Sequence, residues 1–155
     1  MDLTYRDLTL ADIPALGWSG SSLHLEYIAN RVNLSSAGDV ETVAALADGE
    51  IVAKGEIDYK RYPGFATIAM VNVKDELQGK GIGTSFFQEL ERRSITRGVL
   101  KARLHVERTN ERAVQLYLKL GYKVTGEIVE TWEQFDSAGN IETYTAICDV
   151  MEKDL

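Results

Sequence analysis

Apolar and polar positions change period several times along this chain of 155 residues. TYRDLTL, residues 4–10, alternates and predicts a first strand. From Thr9 the pattern turns helical and runs, weakly defined, to Val32, with Leu25, Ile28 and Val32 at helical spacing. WSGSS, residues 18–22, breaks that region into two short helices. Two β-rich runs in VETVAALADGEIVAKGEID, residues 40–58, flank Asp48-Gly49, which signals a hairpin. FATIAMVNV, residues 65–73, is almost wholly apolar and predicts a central strand. A helix follows from about Gly81 to Arg97, with Ile82, Phe86 and Leu90 as its stripe and Gly98 as its cap. LKARLHVE, residues 100–107, alternates strictly, with Leu100, Ala102, Leu104 and Val106 on one face. In NERAVQLYLKLG, residues 110–121, Ala113, Leu116, Tyr117 and Leu120 follow helical spacing. Two last strands, YKVTGEIVETWEQF and IETYTAICDVMEKDL, are joined by DSAGN, residues 136–140. The order is mixed α and β, with strands outnumbering helices.

Composition narrows the class. The length suits one domain over residues 1–155, and 45% apolar with 26% charged residues is ordinary for a globular protein. No low-complexity stretch or repeat divides it. The apolar runs are too short to span a membrane, and MDLTYRDLTL is not a secretory signal. One cysteine, Cys148, cannot form an internal disulfide, so a reducing cytoplasm is the expected location. A net charge of -7 disfavours broad nucleic-acid binding. It suits a cationic substrate, and equally suits mere solubility.

The candidate chemistry lies in VNVKDELQGKGIGTSFFQEL, residues 71–90. Gly79, Gly81 and Gly83 stand where a strand hands over to a helix. At such a corner the backbone N–H groups point outward together, and the helix dipole adds positive charge, which makes an anion site suited to phosphate. Two phosphate loops are excluded. A Walker loop needs a glycine where Lys74 stands and a Ser or Thr after Lys80, which Gly81 occupies. A dinucleotide fingerprint needs a third glycine where Thr84 stands.

The spacing that fits is Gln-x-x-Gly-x-Gly, at Gln78, Gly81 and Gly83. It resembles the pyrophosphate loop of the GNAT superfamily of N-acetyltransferases. NERAVQLYLKLGY is similar to that family's second signature, matching at Asn110, Ala113, Leu116, Tyr117 and Gly121, with Tyr122 in place of the usual Phe. An amphipathic core helix accounts for Ala113, Leu116 and Leu120, but not for Asn110 or for both motifs in this order. The resemblance implies the GNAT fold, an α/β (α+β) arrangement. Its central mixed, mostly antiparallel sheet has two splayed parallel strands, here 65–73 and 100–107, and about four helices.

The resemblance also implies the reaction: an acetyl group passes from acetyl-coenzyme A to a primary amine by direct attack through a tetrahedral intermediate. The backbone of Val71 and Val73 would hold the pantetheine arm. Gln78, Gly79, Lys80, Gly81, Ile82, Gly83 and Thr84 would hold the pyrophosphate. The family assigns the donor to the developing oxyanion to the backbone at Val71. Tyr117 matches the family's general acid, and Asn110 a cofactor-contacting position that also suits a helix cap. A Glu used by some members falls near Thr67 and is absent. Another member's Glu falls at His105, the candidate base, with Glu56, Asp58 and Glu107 as rivals. Cys148 carries no sign of a nucleophile, so direct transfer is expected. Trp18, His24, Tyr27, Trp132 and Phe135 are candidates for the acceptor wall, with Glu127, Glu130 and Glu133 to attract an amine. The acceptor is a small-molecule amine or a peptide N-terminus. Homodimers are common in the family. The alternative is a non-catalytic domain that senses acetyl-coenzyme A.

Overall fold

The computed structural model describes every residue from Met1 to Leu155. It contains two compact units, Met1–Ala102 with Asp154–Leu155, and Arg103–Lys153.

In the first unit four antiparallel strands run in order: β1 (Thr4–Asp7), β2 (Val40–Ala47), β3 (Glu50–Asp58) and β4 (Ala66–Val73). Strand β1 stops at Asp7 rather than running to residue 10. The cause is local. The Asp12 carboxylate accepts from the Thr9 N–H at 2.8 Å and from its hydroxyl at 3.1 Å, and the Asp12 N–H donates to the Thr9 carbonyl at 3.0 Å. That box starts a 3-10 helix, Leu10–Ser19. After the expected break comes α1 (Ser22–Ser35), whose Ile28 and Val32 pack with Leu8, Leu16, Ala44 and Ile51.

The Asp48-Gly49 hairpin forms as expected, with φ of 51° and 81°, the left-handed pair that a two-residue turn of this kind needs. Strand β3 is buried from Ile51 to Ile57. Lys54, Glu56 and Asp58 point toward α1, and Gly55 points toward α2 (Ile82–Thr96). Between β3 and β4 the register jumps. Lys54 pairs with Asn72 and Glu56 with Ala69, so Met70 and Val71 together face Gly55. This is a bulge, and Met70 within it has a φ of 56°. Gly55 is needed opposite, because a Cβ there would lie 3.0 Å from Val71 and 3.3 Å from Phe86.

The second unit holds most of β5 (Lys101–Glu107), then α3 (Glu111–Lys119), β6 (Lys123–Phe135) and β7 (Ile141–Asp154). The strands lie in the order β5-β7-β6, with β6 at the edge. Ala102, Leu104 and Val106 are buried and their neighbours are not, as the alternation in β5 requires. The β6–β7 hairpin turns where expected, with Asp136 Oδ1 accepting from the N–H groups of Ala138 and Asn140, each at 2.9 Å. No helix is long and apolar enough to cross a membrane.

Candidate active site

Strand β4 leads through a single 3-10 turn, Asp75–Leu77, into Gln78–Gly81 and then α2. Gly79 and Gly81 have φ of 78° and 83°, which a side chain would strain, so these two glycines are required by the path of the chain. Gly83 lies in the first turn of α2 and needs no such φ. Helix α2 has no side-chain cap and no acidic residue in its first turn. Its first ladder bond is from Ser85 N–H to Gly81 carbonyl at 3.1 Å. The N–H groups of Ile82, Gly83 and Thr84 precede that ladder. A side chain built on Gly81 would meet nothing within 4 Å, so the space over the corner is open.

Two neighbours hold the corner in place. The Ile82 side chain is buried and anchors it to the core. Gln78 Nε2 folds back to donate to the Val73 carbonyl at 3.2 Å and Asp75 Oδ1 at 3.3 Å, so it shapes the loop. Lys80 is exposed, while Val71 and Val73 are half-buried on β4.

Beside the bulge is a group that sequence reasoning missed. Lys54 is fully buried, and its Nζ lies 2.8 Å from His24 Nε2, 3.0 Å from the Met70 carbonyl oxygen and 2.8 Å from Asn72 Oδ1. Burial pushes the Lys54 ammonium down to about 7, with Glu56 opposing. Burial, then the charge of Lys54, pushes His24 down to about 4. The ring is therefore neutral near pH 7. An ammonium only donates, so Nε2 accepts and Nδ1 carries the proton. The available signal was a lysine that directly follows the apolar run Ile51–Ala53 within a strand.

Glu56 and Asp58, weighed above as bases, are both held by Arg31, at 2.8 and 2.7 Å. Thr67 is buried with its hydroxyl unpartnered, and so is the indole N–H of Trp18.

The second unit carries the remaining candidates. Asn110 caps α3, its Oδ1 accepting from the Ala113 N–H at 3.3 Å. Tyr117 stands two turns further along α3, its ring edge-on to Tyr122 at 6.4 Å. Burial raises the Tyr117 phenol above its ordinary value. His105 is nearly buried, with Nδ1 2.5 Å from Glu130 Oε1. Its Nε2 accepts from Arg103 Nε at 3.1 Å. Glu107 accepts from the Tyr144 hydroxyl, and Glu127 from Arg108 at 2.6 Å. Trp132 packs on Tyr144 with ring centres 4.9 Å apart. Cys148 is buried among Glu130, Glu107 and Asp149, and its thiol is pushed up, first by burial, which makes it a poor nucleophile.

Known proteins resemble this chain along most of its length. The model of the Acetyltransferase (GNAT) family matches residues 8–122. An L-methionine sulfoximine/L-methionine sulfone acetyltransferase of Pseudomonas paraeruginosa is 27% identical, over 87% of this chain and 88% of its own. A spermidine N(1)-acetyltransferase of Thermoplasma acidophilum is 29% identical, over 69% of this chain and 66% of its own. Among solved structures, the PaiA N-acetyltransferase of Thermoplasma acidophilum in complex with coenzyme A matches all of both chains. Its TM-score is 0.72 at 21% identity. The IAA acetyltransferase of Bacillus cereus covers 99% of this chain and all of its own, with TM-score 0.76 at 18% identity.

Proposed function

The chain belongs to the GNAT acetyltransferase family, and from that premise we propose that it acetylates a small primary amine, with acetyl-coenzyme A as donor. The observation that carries this reading is the open corner at Gly81. Its left-handed backbone, the uncapped start of α2 and the empty space above it fit a pyrophosphate. When bound, acetyl-coenzyme A supplies a thioester as electrophile.

Each residue then has a proposed task. Ile82, Gly83 and Thr84 offer N–H groups to the pyrophosphate, with Gln78 shaping the loop and Gly79, Lys80 and Gly81 completing it. The backbone of Val71 and Val73 aligns the pantetheine arm. The Val71 N–H meets the charge that develops on the thioester oxygen. Tyr117 donates a hydrogen bond to the leaving sulfur. Asn110 fixes the start of α3 and contacts the cofactor. His105, its Nδ1 held by Glu130, receives the proton of the amine at Nε2 after Arg103 releases its hydrogen bond to that nitrogen.

The acceptor class rests on the small amines named for the relatives, and the charge of -7 supports a cationic one. A homodimer is the assembly we propose, supported by the long edge strand β6 and by Val129 and Ile147, which are exposed on paired strands. A cytoplasmic location is supported by the free, buried Cys148.

Isothermal titration with acetyl-coenzyme A and with coenzyme A tests the reading, followed by thiol release with spermidine and L-methionine sulfone as probes. Micromolar binding of both nucleotides with thiol release is expected. Binding without release from any amine would favour the sensing domain. No binding would reduce the glycines to a turn.

A further inference from the structure

Lys54 does not pair with an acid. The nearest one, Glu56, is engaged by Arg31. The three N–H donors of the ammonium instead meet three neutral acceptors: His24 Nε2, the Met70 carbonyl and Asn72 Oδ1. A fully buried cation held this way is costly, and its one backbone partner is unusual too. Only two non-glycine residues, Asp48 in a hairpin turn and Met70 in the bulge, have left-handed backbone. Room has also been made for the imidazole. A Cβ on Gly20 would lie 2.7 Å from the His24 ring.

The Met70 carbonyl and the Val71 N–H belong to one peptide, which is planar and trans. The N–H therefore points to the side opposite Lys54. A cation donating to the carbonyl oxygen draws electron density along the peptide and makes its N–H a stronger donor. It also fixes the plane in which that N–H lies.

We propose that Lys54, seated by His24 and Asn72, is a positioning residue that grips the Met70–Val71 peptide and so aims and strengthens the Val71 N–H for the thioester oxygen. This rests on the reading that Val71 N–H is the oxyanion donor. The ammonium polarises the peptide, and the neutral amine does so far less. The groups facing it are His24 from α1 and Glu56 from its own strand, while β4 presents only the Met70 carbonyl and the Asn72 amide. His24 stays neutral down to about pH 4, so a transition near pH 7 belongs to Lys54.

The test is an amide spectrum of the full chain, without ligand, across that range. The Val71 amide is expected to titrate near pH 7 in the wild type and to stay flat in Lys54→Met. In His24→Leu, which removes one acceptor from the ammonium, its midpoint should fall. In thiol release with spermidine or L-methionine sulfone, Lys54→Met should lower kcat about tenfold or more. Its coenzyme A affinity should stay within about twofold. A lysine that merely pins the bulge would leave the Val71 amide indifferent to pH. A flat wild-type amide, or wild-type kcat in Lys54→Met, overturns the inference. If Lys54→Met does not fold, the midpoint in His24→Leu decides. A wild type that binds no coenzyme A defeats the functional reading instead, and the amide spectrum still judges the peptide.

Discussion

A phenol of pKa about 10 is already a weak proton source for a thiolate of about 8.5. Burial raises Tyr117 further, so in its proposed role outright proton transfer would be more uphill and a hydrogen bond to the sulfur is the better description. Tyr117→Phe is expected to lower kcat about 10²-fold or more with cofactor affinity intact. His105→Ala should give the same split, read by titration calorimetry and thiol release. Lys54 makes a prediction about stability. Its proton leaves the folded chain at about 7, against 10.5 for an ordinary lysine. Between those values the unfolded chain binds more protons, so stability rises with pH; below the window the penalty is complete. Urea denaturation should therefore show wild type gaining on Lys54→Met between about pH 7 and pH 10. Tyr117 and Asn110 became candidates from the sequence because a motif named both. Lys54 did not, because a charge in a short strand reads as exposed until the bulge and α1 close over it.

Among the elements, the loop before α2 invites the most direct test. Gly81→Ala forces a side chain into left-handed backbone, at a cost of about 1–2 kcal/mol. The added methyl meets nothing within 4 Å in the protein, so strain is its only effect on the folded chain. A loss of coenzyme A affinity well beyond the loss of stability would then report the pyrophosphate directly, by calorimetry beside a denaturation curve. Helices α2 and α3, strand β5 and both tight hairpins were legible because period and turn chemistry agree there. The end of β1 was not, since the Thr9–Asp12 box overrides an alternation that runs on to residue 10. The bulge in β4 was hidden as well. AMVNV reads as unbroken strand, and only the pairing with β3 shows two residues spent opposite one glycine.

At the scale of the whole molecule, family and fold were legible from two short motifs in the right order, while the acceptor was not. The side chains expected to form an acceptor wall, such as Trp18 and Tyr27, are of types that carry no fixed spacing. Net stability of a chain this size is about 5–15 kcal/mol, so a single left-handed methionine, at about 1–2 kcal/mol, is a visible fraction of it. Met70 is such a residue, and Asn or Gly there would relieve it. A laboratory selection for heat resistance alone should therefore find Met70→Asn or Met70→Gly early, with a higher melting temperature and turnover kept, because either residue settles in the left-handed backbone that the bulge already uses. The same selection run with turnover as a second demand should accept those changes as readily. Residue 70 would then mark a point on this chain where durability can be gained without giving up speed.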